Sequence, residues 1–120
     1  MVTDPAICTY LTSIDNIKRL MEEKGVHEVV IVDTLLEKRF LGIIHQDDIV
    51  KKSQDLGVDP SGLNAEQCIR SVMTTAPETT SLKECYQIME YNNIQTLVIV
   101  DDERHVCGIL PIVERGRGVQ

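Results

Sequence analysis

The sequence predicts a mixed α/β (α+β) chain: two pseudo-twofold-related helix–strand–strand–helix repeats whose small sheets pack face to face. Three observations predict it. A 22-residue stretch recurs along the chain. In each copy a helical apolar pattern precedes a β-branched run, and each run is followed by a turn short enough to favour an antiparallel hairpin. Residues 12–33, "TSIDNIKRLMEEKGVHEVVIVD", align with residues 80–101, "TSLKECYQIMEYNNIQTLVIVD", without a gap at an offset of 80 − 12 = 68 and with eight identities in 22 positions. Ordinary composition gives about one or two. The pairs Ile14/Leu82, Leu20/Ile88, Val26/Ile94 and Val29/Leu97 keep apolar character where packing demands it, and Gly42-Ile43-Ile44 answers Gly108-Ile109-Leu110 two residues early. The chain is a duplication, and each half needs the other half's apolar surface to complete a core.

Each element follows from its residues. Ser13 and Ser81 are N-caps, because a hydroxyl oxygen takes up a free N–H of the first helical turn. Ile14, Ile17, Leu20 and Met21, and then Leu82, Cys85, Ile88 and Met89, fall at helical spacing. Gly25 ends the first helix and Asn92-Asn93 the second, residue types that tolerate a left-handed cap. "EVVIVD" and "TLVIVD" are apolar throughout, which predicts strands buried on both faces. Polar turns over 34–39 and 102–105 lead to the second strands, "FLGII" and "VCGIL". A short strand before each first helix is compatible with the pattern. A further helix is expected over roughly Gln46 to Leu56. "GVDPSGLN" then breaks the periodicity, and Asn64 caps a short helix running to about Val72. The expected division is repeat 1 over 1–58, a linker over 59–68 and repeat 2 over 69–120.

Composition bounds the function. Hydrophobic residues are 42%, with no Trp, one Phe and three Tyr, so the core is aliphatic. No apolar run reaches the roughly 20 residues that cross a bilayer, and "MVTDPAICTYL" lacks the basic and apolar segments of a signal peptide, so a cytoplasmic protein without membrane partners is expected. A net charge of −7 argues against a nucleic-acid surface, and Arg115 and Arg117 read as a solvated tail. Cys8, Cys68, Cys85 and Cys107 show no C-x-x-C spacing and read as reduced thiols, Cys85 and Cys107 in the core. No zinc site is expected, and His45 with Asp48 supplies too few ligands for a metal. His105, in a polar turn, is expected to be exposed. The sequence holds no Gly-x-Ser-x-Gly elbow, P-loop or H-E-x-x-H, so the chain is expected not to be an enzyme.

Two pieces, "LTSIDNIKRLMEEKGVHEVVIVDTLLEKRFLGIIHQDDIV" and "SVMTTAPETTSLKECYQIMEYNNIQTLVIVDDERHVCGIL", carry a family resemblance. Their order and spacing resemble a tandem cystathionine-β-synthase-type (CBS) domain pair, or Bateman module. The resemblance implies a regulatory module that binds an adenosine-containing molecule (AMP, ADP, ATP or S-adenosylmethionine) in the cleft between repeats and signals occupancy through repeat or dimer packing. It implies a homodimer, an as yet unnamed regulated protein, and no required cofactor beyond such a ligand. The family signature after the second strand is Gly-x-x-Thr/Ser-x-x-Asp, whose aspartate accepts from the ribose hydroxyls. Gly42-Ile43-Ile44-His45-Gln46-Asp47-Asp48 fits it, with Asp48 in the ribose position and His45 in place of the hydroxyl residue. Gly42 then clears the strand's approach to the ligand, and Ile44 lies beside it. Met73, Thr74, Ile94, Gln95, Thr96 and His27 complete the implied pocket. The second copy reads "GILPIVER": Pro111 supplies no side-chain donor and Glu114 is a methylene too long, so at most one competent site, on Asp48, is expected.

Two readings of the acidic pair stand side by side. Asp47 and Asp48 suit the first turn of a helix on electrostatic grounds alone; Asp48 also suits a vicinal diol, since charge-assisted bonds are roughly twice as strong as neutral ones. The alternative function is a non-catalytic dimerisation or interaction scaffold with empty, degenerate clefts. Ile49, Val50 and Leu56 are expected to be left over to face a second copy.

Overall fold

The computed structural model describes residues 6–70 and 74–111, which fall into two compact units, 6–70 and 74–111. The first unit runs β1 (Ile7–Thr9), α1 (Ile14–Lys24), β2 (Glu28–Val32), β3 (Phe40–His45), α2 (Gln46–Leu56), a 3₁₀ turn (Pro60–Gly62) and α3 (Ala65–Cys68). The second runs β4 (Thr75–Pro77), α4 (Leu82–Asn92), β5 (Thr96–Val100) and β6 (Val106–Pro111). Each unit carries a three-stranded mixed sheet, in the orders β1-β2-β3 and β4-β5-β6. The first strand of each sheet pairs parallel to the second, and the second pairs antiparallel to the third.

The duplication is visible hydrogen bond by hydrogen bond. Ser13 Oγ accepts from the Asn16 N–H, and Ser81 Oγ from the Glu84 N–H, both at 3.2 Å. Gly25 (φ 65°) and Asn93 (φ 54°) close α1 and α4 in the left-handed conformation. The next residue then donates back to Met21 or Met89, each at 3.0 Å, which satisfies a carbonyl left over at the helix end. In β2, Val29 and Ile31 pack into the unit's core while Val30 and Val32 are also buried, so both faces of the strand are covered.

The first core gathers Ile14, Ile17, Met21, Val29, Ile31, Ile44 and Ile49 with Leu63, Ala65 and Cys68. The stretch 59–68, expected to be a linker, therefore packs into the first unit. The second core gathers Ala76, Cys85, Met89, Leu97, Ile99 and Leu110.

Four expectations are corrected. The helix capped by Asn64 ends at Cys68, because Ile69 turns extended (ψ 130°) and Arg70 bridges to β3. Cys107 is exposed: it falls between buried Val106 and Gly108 on an alternating strand and points the other way. Leu82, the first residue of α4, is 53% exposed. Ile49 is buried in its own core, so it is not free to face a second copy, whereas Val50 and Leu56 are exposed.

Candidate functional site

The site grows from the junction of β3 and α2. His45 is at once the last residue of the strand and the N-cap of the helix, with extended backbone (φ −95°, ψ 148°). Its ring Nδ1 accepts the Asp47 N–H at 3.0 Å, while the His45 N–H donates to Asp48 Oδ2 at 3.2 Å. The two bonds form a reciprocal capping box, with a histidine ring where a hydroxyl usually stands. In this arrangement the neutral ring carries its proton on Nε2, from which it can donate one further bond.

The other oxygen of Asp48 accepts from Arg70 Nη2 at 2.8 Å. Arg70 is brought there by its backbone. The Ile43 N–H donates to the Arg70 carbonyl at 3.1 Å and the Arg70 N–H to the Ile43 carbonyl at 2.8 Å, extending the β3 edge by one residue. Gly42 makes this possible: a Cβ there would lie 2.6 Å from Ile69 Cγ2 and 2.8 Å from the Arg70 oxygen. The space expected to admit a ligand beside Gly42 is thus filled by residues 69–70.

Asp48 is therefore gripped from both sides yet keeps a 21% exposed side chain, while the Arg70 side chain is 53% exposed and Asp47 86%. Hydrogen bonding to Asp48 is the foremost influence on Arg70 and holds its guanidinium more firmly protonated than usual. Desolvation opposes this, and the charges of Asp48, Glu28 and Asp47 add to it. Glu28, at the start of β2, sits directly across the ladder from His45.

The remaining expected residues fall elsewhere. Ile44 is fully buried in the first core, so its side chain serves packing. His27 is bound to Gln46: its Nδ1 lies 2.9 Å from Gln46 Oε1, and its carbonyl accepts the Gln46 N–H at 2.8 Å. Together with Lys18, Met21, Glu22, Gly25 and Val26, these two line a cavity of about 280 Å³ beside the end of α1. In the second unit Thr74 is half-buried ahead of β4, Ile94 packs against the second core and Gln95 is exposed. Thr96 opens β5 opposite Pro111, the counterpart of Glu28 opposite His45. Met73 and Glu114 lie outside the described residues. His105, expected to be exposed, is half-buried, with Nδ1 3.1 Å from Asp101 Oδ2. Among the described residues no group of three or more His, Cys, Asp or Glu could hold a metal ion, and no helix is long and apolar enough to cross a membrane.

Sequence reasoning missed the pairing of Arg70 with Asp48. The signal was present: glycine inside an aliphatic strand marks a close backbone approach, here by residues 69–70. Gln46 was missed altogether.

Comparison with known proteins places this geometry. The model of the CBS domain matches residues 1–55 and 66–114. The glycine betaine transport ATP-binding protein OpuAA of Bacillus subtilis is 29% identical over 91 residues, covering 76% of this chain and 20% of that protein. The chain spans less than half the length of the curated relatives it matches. Among solved structures, the CBS domain pair of protein MJ0100, in complex with 5′-methylthioadenosine and S-adenosyl-L-methionine, superposes with a TM-score of 0.78 at 23% identity, covering 98% of this chain and 90% of that one. A CBS domain protein of Pyrobaculum aerophilum complexed with AMP gives 0.78 at 19% identity, with 95% and 85% covered.

Proposed function

Because this chain belongs to the CBS domain family, we propose that it is a regulatory ligand-binding module that takes up an adenosine-containing molecule at the β3–α2 junction of its first repeat. The observation that carries this reading is the state of Asp48. Its carboxylate stands at the N-terminus of an 11-residue helix, oriented by the capping box and by Arg70, and remains partly open to solvent. A carboxylate has about four lone-pair positions, and the two bonds it makes here leave room for the two hydroxyls of a ribose. The positive end of the helix dipole favours the charged form that grips them. Two structural relatives hold adenosine derivatives that differ only beyond the sugar, which supports the adenosine moiety as the shared determinant.

His45 is the second residue of the proposed grip, through its remaining ring proton. Binding regulates if the ligand prefers one of two arrangements of the chain, since only a difference in affinity shifts such an equilibrium. The likeness to a segment of a transport ATP-binding protein supports a module serving a partner activity. Homodimerisation belongs to the proposal, with exposed Val50 and Leu56 on α2 as the surface offered; so does a cytoplasmic location. No catalytic role is assigned to any residue.

Thermal unfolding with AMP, ADP, ATP, S-adenosylmethionine and 5′-methylthioadenosine tests the reading. A ligand at 100 times its dissociation constant stabilises the fold by about 2.7 kcal/mol. For a domain of this size that raises the melting temperature by roughly ten degrees. Asp48→Asn, checked for folding by circular dichroism, is expected to abolish the shift. If none of the five compounds moves the transition, the scaffold reading, favoured by Pro111 in the second repeat, takes its place.

A further inference from the structure

We infer that ligand uptake at Asp48 and docking of residues 69–70 on the edge of β3 are one linked equilibrium, through which occupancy is passed into the stretch of chain that follows α3. The inference rests on the reading of Asp48 given above and supplies the regulation of that site. Residues 69–70 leave α3 extended and are held to β3 by one reciprocal pair of backbone bonds, between Ile43 and Arg70. An isolated bridge of this kind, carrying an exposed arginine, is an element that opens without unfolding the first core.

Docking decides which partner Asp48 has. With residues 69–70 in place, Arg70 Nη2 holds Asp48 Oδ1 at 2.8 Å while the His45 N–H holds Oδ2 at 3.2 Å. Both oxygens are then oriented at the junction before any ligand arrives. Once Arg70 leaves, the same carboxylate has another cation within reach. Lys51 and Lys52 follow one helical turn along α2, and an acid four residues ahead of a lysine is a favoured helical pair. Burial first, and then the Asp48 charge, push the Cys68 thiol up while Lys52 pulls it down, which puts both charges beside the end of α3. Release of Arg70 therefore leaves Oδ1 to Lys52, which draws the carboxylate back along the helix and away from the junction. A ribose that needs the forward carboxylate favours the docked arrangement. By linkage the effect is reciprocal: the factor that docking adds to affinity is the factor that the ligand adds to docking.

Isothermal titration and amide hydrogen exchange on the full chain test both directions, using as probe the tightest binder among 5′-methylthioadenosine, S-adenosylmethionine and AMP. Without ligand, the Ile43 and Arg70 amides are expected to exchange ahead of the core amides of β2. Saturation with the probe is expected to slow them at least about fivefold, the low end of ordinary coupling factors. Arg70→Ala, with folding checked by circular dichroism, is expected to weaken binding at least about fivefold and to make exchange at Ile43 indifferent to the probe. Arg70→Lys is expected to recover part of the affinity. Gly42→Ala, whose added methyl meets Ile69 and the Arg70 carbonyl rather than Asp48, is expected to weaken binding through docking alone. If that variant does not fold, Arg70→Ala decides. Affinity unchanged in Arg70→Ala, exchange at Ile43 and Arg70 unmoved by the probe, or exchange of these two amides only together with the core overturns the linkage and leaves Asp48 as an adenosine site. Failure of all three compounds to bind the unaltered chain overturns both.

Discussion

The two repeats share their topology down to the place where the hairpin register slips, between Ile31 and Val32 in one and between Ile99 and Val100 in the other. They part where the hairpin ends. In the first, β3 leaves through His45, whose N–H and ring both bond into α2; in the second, β6 ends at Pro111, paired with Thr96 as His45 is paired with Glu28. Proline has no N–H. Whatever acid follows it, the donor that orients Asp48 in the first repeat has no counterpart in the second. A duplicated scaffold thus kept its core and caps, where any aliphatic residue of similar size serves, and diverged at a position where one backbone proton decides the local chemistry.

The largest effect should fall on what the repeats share. Ile44 and Leu110 are equivalent, fully buried core residues. Each changed to Ala is expected to lose about 2–5 kcal/mol in urea unfolding, from lost burial plus the residual cavity. A near-neutral result for one of the two would break the equivalence of the cores. Next comes Gly42→Ala. The added methyl meets the Arg70 carbonyl and Ile69, and overpacking of this kind costs about 1–3 kcal/mol. The same substitution should loosen the Ile43–Arg70 bridge, seen as faster amide hydrogen exchange at those two residues. His45→Pro imports the second repeat's residue into the first. It removes the N–H that Asp48 accepts and the ring that caps Asp47, with an expected loss of about 1–2 kcal/mol and of the ligand-induced thermal shift.

The smallest effect is a pH dependence that the repeats have in common. Asp33 and Asp101 each close their hairpin by accepting two backbone N–H bonds. Asp101 is held below the usual carboxylate range chiefly by the His105 N–H. For Asp33 desolvation works upward but is outweighed by the Thr34 and Arg39 N–H groups. A depressed carboxylate contributes stability above its unfolded-state value and loses it as the pH falls through the folded value. Stability measured by urea titration should therefore decline on acidification below the ordinary aspartate range, and Asp33→Asn or Asp101→Asn should each flatten that decline. A slope unchanged in both variants would remove these turns as its source.

What the sequence made legible follows from which interactions are local. The caps at Ser13, Gly25, Ser81 and Asn93 were readable because each depends on residue type within one helical turn. The β-branched runs were readable because burial on both faces leaves an unbroken apolar string. Helix α2 was expected over roughly the residues it occupies, and its boundaries are a capping box and the left-handed Gly57. The rest depended on contacts distant in sequence. Arg70 reaches Asp48 across 22 positions, and no pattern near either residue announces it. Cys107 was misplaced because an apolar string does not reveal which side of a strand faces outward, and Ile49 because a helix N-terminus can bury one residue while exposing the next. At the candidate site the residue order put His45 and Asp48 at a strand-to-helix turn but did not reveal their partners. Gly42 was recognised as a close approach, although what approaches it is the protein's own backbone.

The central claim, that the first repeat alone offers an adenosine grip, is tested most directly by counting. Native mass spectrometry of the full chain, titrated with 5′-methylthioadenosine or S-adenosylmethionine, is expected to saturate at one ligand per chain. That binding should vanish in Asp48→Asn and persist in Glu114→Gln. Two ligands per chain, or one whose binding survives Asp48→Asn, would contradict it.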